Sequence, residues 1–454
     1  MDIALGLMAA FVVLLASVLR GIGLWWPLGG AIAIFALIHL RRGYALPQLL
    51  GYCWQGAKQS WPVFSILLLI GAVISAWLAA GTVPALVYYG MTYISPRYFV
   101  LSAFVLTALV STLIGTSFGA AGTIGLALMI MARSSGMTHP SLVAGAIIAG
   151  AYVGDRCSPL SSSAHLVATI TRTRIYNNLK HMLLTAWLPL LLTVIIYGVL
   201  SGFYPLTVTD TDITQQILET FDLSGAVLLP ALVVLVLAVA RVNVKLTLLL
   251  SWLLAMGLAV GLQQNSLGQM LQFTLWGFRL EPGHGLEAML LGGGLWPMGK
   301  VCSAVFFSTA LSGLLSGTGS LQGVDRWLRH LRGTRPLFAG TAFTSFVSAA
   351  FGCTQTIAIV LTHQLVRPAY QRQSSGRVAT NLAIDLENTA VVIAPLVPWN
   401  IAGLVPAAVL MAGPGFIPYA VYLYLVPLCN WVWPRRGYSL ILRPSPMGNR
   451  ALID

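Results

Sequence analysis

Apolar runs of about 20 residues, long enough to carry a helix across a bilayer, recur along nearly the whole of this chain. In lipid the backbone polar groups of such a run must satisfy one another, which leaves only helices and closed barrels facing the hydrocarbon. The composition fits the runs. Of the 454 residues, 57% are hydrophobic and only 8% charged, whereas soluble domains carry about a quarter charged residues. The fold expected is an all-α polytopic membrane protein. Residues 3–18 make the first run. Asp2 stands where a cleavable leader would be basic, no small-residue cleavage site follows, and a second run, 22–39, ends in Arg41-Arg42. The pair reads as two retained spans.

The formal net charge of +13 points to topology rather than to nucleic acid. The basic residues sit in short loops between apolar runs, as cytoplasmic loops do. The five cysteines, Cys53, Cys157, Cys302, Cys353 and Cys429, are scattered and show no metal-ligand spacing, so free thiols are expected.

Three motifs of the first half return in the second at a nearly constant offset. AWLAAGT, ending at Thr82, matches SGLLSGT, ending at Thr318, 236 residues on; GTSFG from Gly115 matches GCTQT from Gly352 at 237; CSPLSSS around Pro159 matches IAPLVPW around Pro395 at 236. Transporters commonly carry such repeats and bind their cargo where the repeats meet. The first half is bracketed by Arg41, Arg42, Lys58 and by Arg172, Arg174, Lys180. The second half carries its basic residues at Arg326, Arg329, Arg332, Arg335 and at Arg367, Arg372, Arg377. With basic loops cytoplasmic, the halves face opposite ways: two inverted repeats. The organisation expected is two N-terminal transmembrane helices (1–57), a first repeat (58–203), a linking loop with transmembrane helices (204–293), a second repeat with a final helix (294–433), and a cytoplasmic tail (434–454). Residues 99–131 and 337–366 would be re-entrant hairpins, and both termini would be cytoplasmic.

Four segments interrupt apolar runs with groups that a lipid-facing helix does not tolerate: 115–122, 154–163, 352–356 and 394–400. Gly115, Gly119 and Gly352 permit backbone turns. Pro159, Pro395 and Pro398 each remove a donor and free a carbonyl, and freed carbonyls at helix ends bind ions. Of the 12 acidic residues only Asp155, Asp385 and Glu387 fall within spans, where an ionisable group marks an ion or proton path. Asp155 precedes Pro159 by four residues and has Arg156 beside it. Its alternative role is a structural pair with a basic residue. Asp385 and Glu387 precede Pro395 by about two to three turns. They are proton-binding candidates or a stabilising pair. His165 and His363 titrate near neutrality when unperturbed and are otherwise structural. Thr116, Ser117, Ser158, Ser161, Ser162, Ser163, Thr354 and Thr356 offer hydroxyl oxygens, and Asn400 an amide. No phosphate loop, HExxH site or nucleophile elbow is present, so an enzyme is not expected.

The motifs LLIGAVISAWLAAGTVPALVYYG (68–90), STLIGTSFGAAGTIGLALM (111–129), GAIIAGAYVGDRCSPLSSSA (145–164) and LENTAVVIAPLVPWNIAG (386–403) resemble the NhaC family of sodium–proton antiporters over most of residues 58–410. The resemblance implies two inverted repeats with re-entrant hairpins and exchange of Na+ or Li+ for protons across a bacterial-type inner membrane. Some relatives exchange organic solutes, such as malate for lactate. Many members carry an acidic residue in the stretch held here by Ser161-Ser162-Ser163, and often another where this chain has GCTQT. These losses of charge keep a proton- or sodium-coupled exchanger of carboxylates or amino acids open as the alternative.

The expected mechanism is alternating access at one midplane site. Asp155, with the oxygens around Ser117, Ser158 and Thr354, takes either Na+ or a proton, and Ser158 is the second Na+ ligand suggested. Asp385, Glu387 or His165 would carry a further proton. No cofactor is expected beyond the transported ions, and the partners are membrane lipid and the cargo, with a homodimer compatible and nucleic acid not.

Overall fold

The computed structural model describes residues 2–93, 95–134, 137–206, 211–240, 242–280, 290–320, 333–372 and 378–433. Among these, helices account for nearly all regular structure, and the only strand-like pairing is one bridge between Phe278 and Gly292. In chain order the first half of the helices is α1 (Asp2–Leu19), α2 (Trp25–Arg41), α3 (Leu46–Lys58), α4 (Trp61–Ala79), α5 (Thr82–Tyr93), α6 (Phe99–Ile114), α7 (Ser117–Ala120), α8 (Leu126–Ser134), α9 (Pro140–Cys157), α10 (Ser162–Thr171) and α11 (Ile175–Phe203). The remainder are α12 (Thr211–Thr220), α13 (Leu229–Val239), α14 (Val244–Gly261), α15 (Leu267–Trp276), α16 (Leu295–Gly317), α17 (Thr334–Gly352), α18 (Gln355–Gln371), α19 (Val378–Asn388), α20 (Ala390–Ile393), α21 (Ile401–Val409) and α22 (Val421–Val432). A π turn, Ala121–Gly125, joins α7 to α8.

By length and composition, Trp61–Ala79, Pro96–Ile114, Ile175–Phe203 and Leu295–Gly317 can each cross a membrane, and Val378–Leu396 with Ile401–Val409, bent by 54°, passes the same test as a pair, as a broken span or a re-entrant loop. On α11 the residues Leu183, Trp187, Leu191, Ile195, Val199 and Phe203 form an exposed stripe at four-residue spacing. A continuous apolar stripe of that kind is a lipid-facing surface. This is a multi-pass helical membrane protein.

Several expectations change in detail. The run 59–93 divides at Gly81, which takes φ +77. Helix α3 occupies part of the expected first basic loop and packs on α16, where Gly56 meets Gly313 and the Tyr52 ring lies against Gly317. Gly317 thus serves close packing. Helices α12 and α15 add short elements to the linking region. All five cysteines are free thiols. The tail 434–454, Arg326, Arg329, Arg332 and Arg377 lie outside the described residues.

The centre of the fold is α9, buried from Leu142 through Cys157. Small residues let α6 approach it: a side chain at Gly150 would meet the Phe104 carbonyl, and one at Gly154 would overlap the Ser111 backbone. At that approach the Ser111 hydroxyl donates to the Ala151 carbonyl. Close small-residue contacts of this kind stand in for the hydrophobic effect, which lipid does not supply.

The breaks after α6 and after α17 have the same local form. After α6, Gly115 is left-handed (φ +79), Thr116 is extended, and the Thr116 hydroxyl caps the next helix by accepting from Gly119 N–H at 3.1 Å. After α17, Cys353 is left-handed (φ +55), Thr354 is extended, and its hydroxyl accepts from Ile357 N–H at 3.2 Å. The helices that follow each also break alike. Ser158 and Val397 are extended, as residues before proline prefer to be, and Ser161 and Asn400 then cap α10 and α21.

Candidate functional site

A helical carbonyl expects its donor four residues on. The donor due to the Asp155 carbonyl would be residue 159, and Pro159 has no N–H. The hydroxyls of Ser161 and Ser163 replace it: both donate to Asp155 O, Ser163 at 2.7 Å, and the two hydroxyl oxygens lie 2.8 Å apart. The same logic operates in the second half. Pro395 leaves the Val391 carbonyl without its helical donor, and the Gln355 side chain supplies one at 3.3 Å. Gln355 Nε2 also donates to Asp155 Oδ2 at 2.8 Å. One amide therefore ties together the buried carboxylate, the first residue of α18 and the broken stretch after α19.

The first hairpin closes the other side. The Ser117 backbone N–H, at the start of α7, and the Ser163 hydroxyl both face the Asp155 carboxylate. Asp155 thus lies against the first residues of two helices, Ser117 and Gln355, whose N-terminal dipoles favour negative charge by about 0.3–1 kcal/mol each. Tyr152, buried one turn before Asp155, interacts with the Ser117 side chain and donates to the Ala402 carbonyl at 2.8 Å. Three of the interrupted segments thus meet around one carboxylate that is 3% exposed. The chemistry available is an acid group, hydroxyls and an amide: hard oxygen ligands suited to a proton or a small monovalent cation.

The other predicted residues divide by what their polar atoms touch. Thr116, Thr354 and Asn400 are helix caps, with Asn400 also donating to the Ala349 carbonyl at 2.8 Å. Ser158 donates to the Thr112 carbonyl at 2.8 Å and accepts from Leu160 N–H, so its hydroxyl serves the end of α6. Ser161 is held on Asp155 O, and Ser162 is exposed. His165 is exposed, with Nε2 3.0 Å from the Pro159 carbonyl. Asp385 accepts from Tyr370 at 2.6 Å, and Tyr370 bonds Thr341 at 3.0 Å. Glu387, two residues on, turns the other way, towards Arg156 and the Asp155 side of the protein. Gly115 and Gly119 stand at the first break, while Gly352 ends α17 and leaves the left-handed position to Cys353. Gln355 was missed: its only signal was its place directly after a capping threonine at a break.

A cavity of about 470 Å³ adjoins the first break. Ile66, Ile70, Thr116, Phe118, Gly119 and Lys245 are among its walls.

Fold and site together define a polytopic helical membrane protein with a buried polar centre. A model of the Na+/H+ antiporter family matches residues 2–164 and 150–430. The chain is 30% identical over 386 residues to the Na+/H+ antiporter NhaC of Alkalihalophilus pseudofirmus, covering 84% of this chain and 82% of that one. It is 28% identical over 398 residues to the malate-2H+/Na+-lactate antiporter of Bacillus subtilis (86% and 84% covered). Against the arginine/ornithine antiporter ArcD of Halobacterium salinarum it is 27% identical over 436 residues (94% and 89%). The chain belongs to the Na+/H+ antiporter family.

Proposed function

We propose that the protein exchanges Na+ or Li+ for protons by alternating access at Asp155. The observation that carries this reading is one buried carboxylate held where three broken segments meet, by Ser117, Ser163 and Gln355, with Gln355 also bridging it to the Val391 carbonyl. Binding a cation and binding a proton both neutralise the carboxylate, so the two exclude each other there. That competition couples the fluxes with no further device. The Ser117 and Ser163 hydroxyls beside it are the further oxygens on offer, the carbonyls that Pro159 and Pro395 release being already bonded by Ser161, Ser163 and Gln355. The family matches support the same cargo.

The matching breaks support inverted repeats. Basic loops on the cytoplasmic side would place both termini inside and the protein in a cell (inner) membrane. In this arrangement one half rocks against the other about the site, with lipid around the protein and a homodimer compatible with it.

The second reading is exchange of small organic solutes, and the cavity favours it. About 470 Å³ is within the range of small-molecule sites and far exceeds a bare monovalent cation. Two relatives named for organic exchange fit it as well. Proteoliposomes with an imposed pH gradient and an internal pH dye separate the readings. Adding NaCl, LiCl, KCl, malate, lactate and amino acids in turn should give proton flux with Na+ or Li+ alone. Silence with cations and a response to an organic solute would replace the first reading by the second.

A further inference from the structure

Glu387 sits at the end of α19, fully buried, and neither of its carboxylate oxygens has a hydrogen-bond partner. Beside it lies Arg156, also fully buried. Its guanidinium is held wholly by neutral groups: the Thr185 hydroxyl at 2.6 Å, the Asn388 side-chain oxygen, and the Tyr422 hydroxyl and Cys157 sulfur at 3.3 Å each. Two donors of this cluster are unused, Arg156 Nε and Asn388 Nδ2. A buried acid with no donor and buried donors with no acceptor therefore stand side by side.

That arrangement has a direct physical reading. A charged carboxylate stripped of water and of hydrogen bonds costs several kcal/mol, so this packing accommodates Glu387 as the neutral acid. Once the proton leaves, the carboxylate needs a cation, and Arg156, whose Nε is unused, is the one that faces it. One of the bonds that now holds the guanidinium is to Asn388 Oδ1, one residue from Glu387. We propose that Glu387 is a second proton site, separate from Asp155, and that Arg156 is the tethered cation that closes on it when the proton leaves. The carboxyl O–H breaks, the proton goes to water on the open side, and the buried pair passes from a net +1 to neutral. Asn388 is the positioning residue that parks the guanidinium in the protonated state.

The inference rests on the proton-coupled reading of the transporter and deepens it. Asp155 exchanges its proton for a cargo cation, whereas Glu387 exchanges its proton for a side chain of the protein itself. The charged groups facing Glu387 are Arg156 and Asp155, both on α9, with the Cys157 thiol and Tyr422 hydroxyl around the guanidinium. On the other helices packed against α19, Tyr370 engages Asp385, His363 lies beside Arg367, and His165 is on the Pro159 carbonyl.

The test is infrared difference spectroscopy on the full-length protein in lipid vesicles, titrating pH with and without NaCl. Wild type should show two protonated-carboxyl bands. One should vanish in Asp155→Asn and be bleached by NaCl. The other should vanish in Glu387→Gln and ignore NaCl. In Arg156→Gln the Glu387 band should persist across the pH range in which it disappears in wild type, and Arg156→Lys should restore its loss. A Glu387→Gln spectrum identical to wild type, or a Glu387 band that titrates unchanged in Arg156→Gln, overturns the proposal. An Asp155 band indifferent to NaCl, with the Glu387 behaviour intact, would refute sodium exchange and leave this inference standing.

Discussion

Replacing Gly154 by alanine tests how the site is held. Gly154 lies one residue before Asp155, where α9 meets α6 so closely that an added Cβ would overlap the carbonyl carbon and oxygen of Ser111 and the nitrogen of Thr112. These are backbone atoms and cannot swing aside, so the helices must separate. Overpacking of that kind costs about 1–3 kcal/mol. Gly257, within α14, is the natural control, because nothing lies within 4 Å of a Cβ built there. Alanine at an open helical position stabilises by about 0.5–1 kcal/mol. The two variants should therefore differ by about 1.5–4 kcal/mol, with opposite signs relative to wild type. For a chain of this length each kcal/mol moves the midpoint by roughly 2 °C or less, so a gap of a few degrees is expected in thermal unfolding in detergent. Because α6 leads straight into the Gly115 break, Gly154→Ala should also depress exchange in liposomes while Gly257→Ala does not. Equal stability and equal exchange in the two variants would refute the packing argument.

Three further outcomes follow from named contacts. Gln355→Ala removes the bond to Asp155 and the support of Val391, and a hydrogen bond to a charged group contributes about 1.5–3 kcal/mol; Na+-dependent proton flux at limiting Na+ should fall about tenfold or more, and unchanged flux would remove Gln355 from the site. Tyr370→Phe deprives Asp385 of its 2.6 Å donor, at a cost of about 1–3 kcal/mol; a lower unfolding temperature with coupled exchange retained is expected, and loss of coupling without loss of stability would make Asp385 a transport residue. Ile66→Trp fills the cavity beside the first break, and sodium exchange should survive it; abolished exchange in a stably folded variant would show that the cargo needs that space.

The sequence reading located the breaks because proline and glycine disturb helices by themselves, whatever surrounds them. Pro159 and Pro395 were legible as donors removed, and the freed Asp155 and Val391 carbonyls are where that reading places them. The register of the second hairpin was less legible. The left-handed residue is Cys353 rather than Gly352, because the extended capping threonine fixes which residue must turn before it. Pre-proline geometry aligns Ser158 with Val397, and so Pro159 with Pro398, although the freed carbonyls align Pro159 with Pro395. The split between Asp385 and Glu387 could have been read from spacing alone, since residues two apart lie on opposite sides of a helix. Hydroxyls were harder to sort. Ser158, Ser161, Thr116 and Thr354 all looked like ligands, but an oxygen near a broken helix is first claimed by the unpaired backbone. Gln355 falls within GCTQT but carries no charge, so it takes its three-dimensional neighbours to single it out. Helices α3, α12 and α15 are short and mixed in composition, which hides them from a search for long apolar runs.

The central claim is that a cation and a proton compete for Asp155, and the most direct measurement is proton release on cation addition. Purified protein in weakly buffered solution, at a pH where the carboxyl is partly protonated, should release protons when NaCl or LiCl is added. It should release none with choline chloride, and none in Asp155→Asn with any salt. Sodium-driven release that persists undiminished in Asp155→Asn, or no release from wild type across the pH range, would contradict the account.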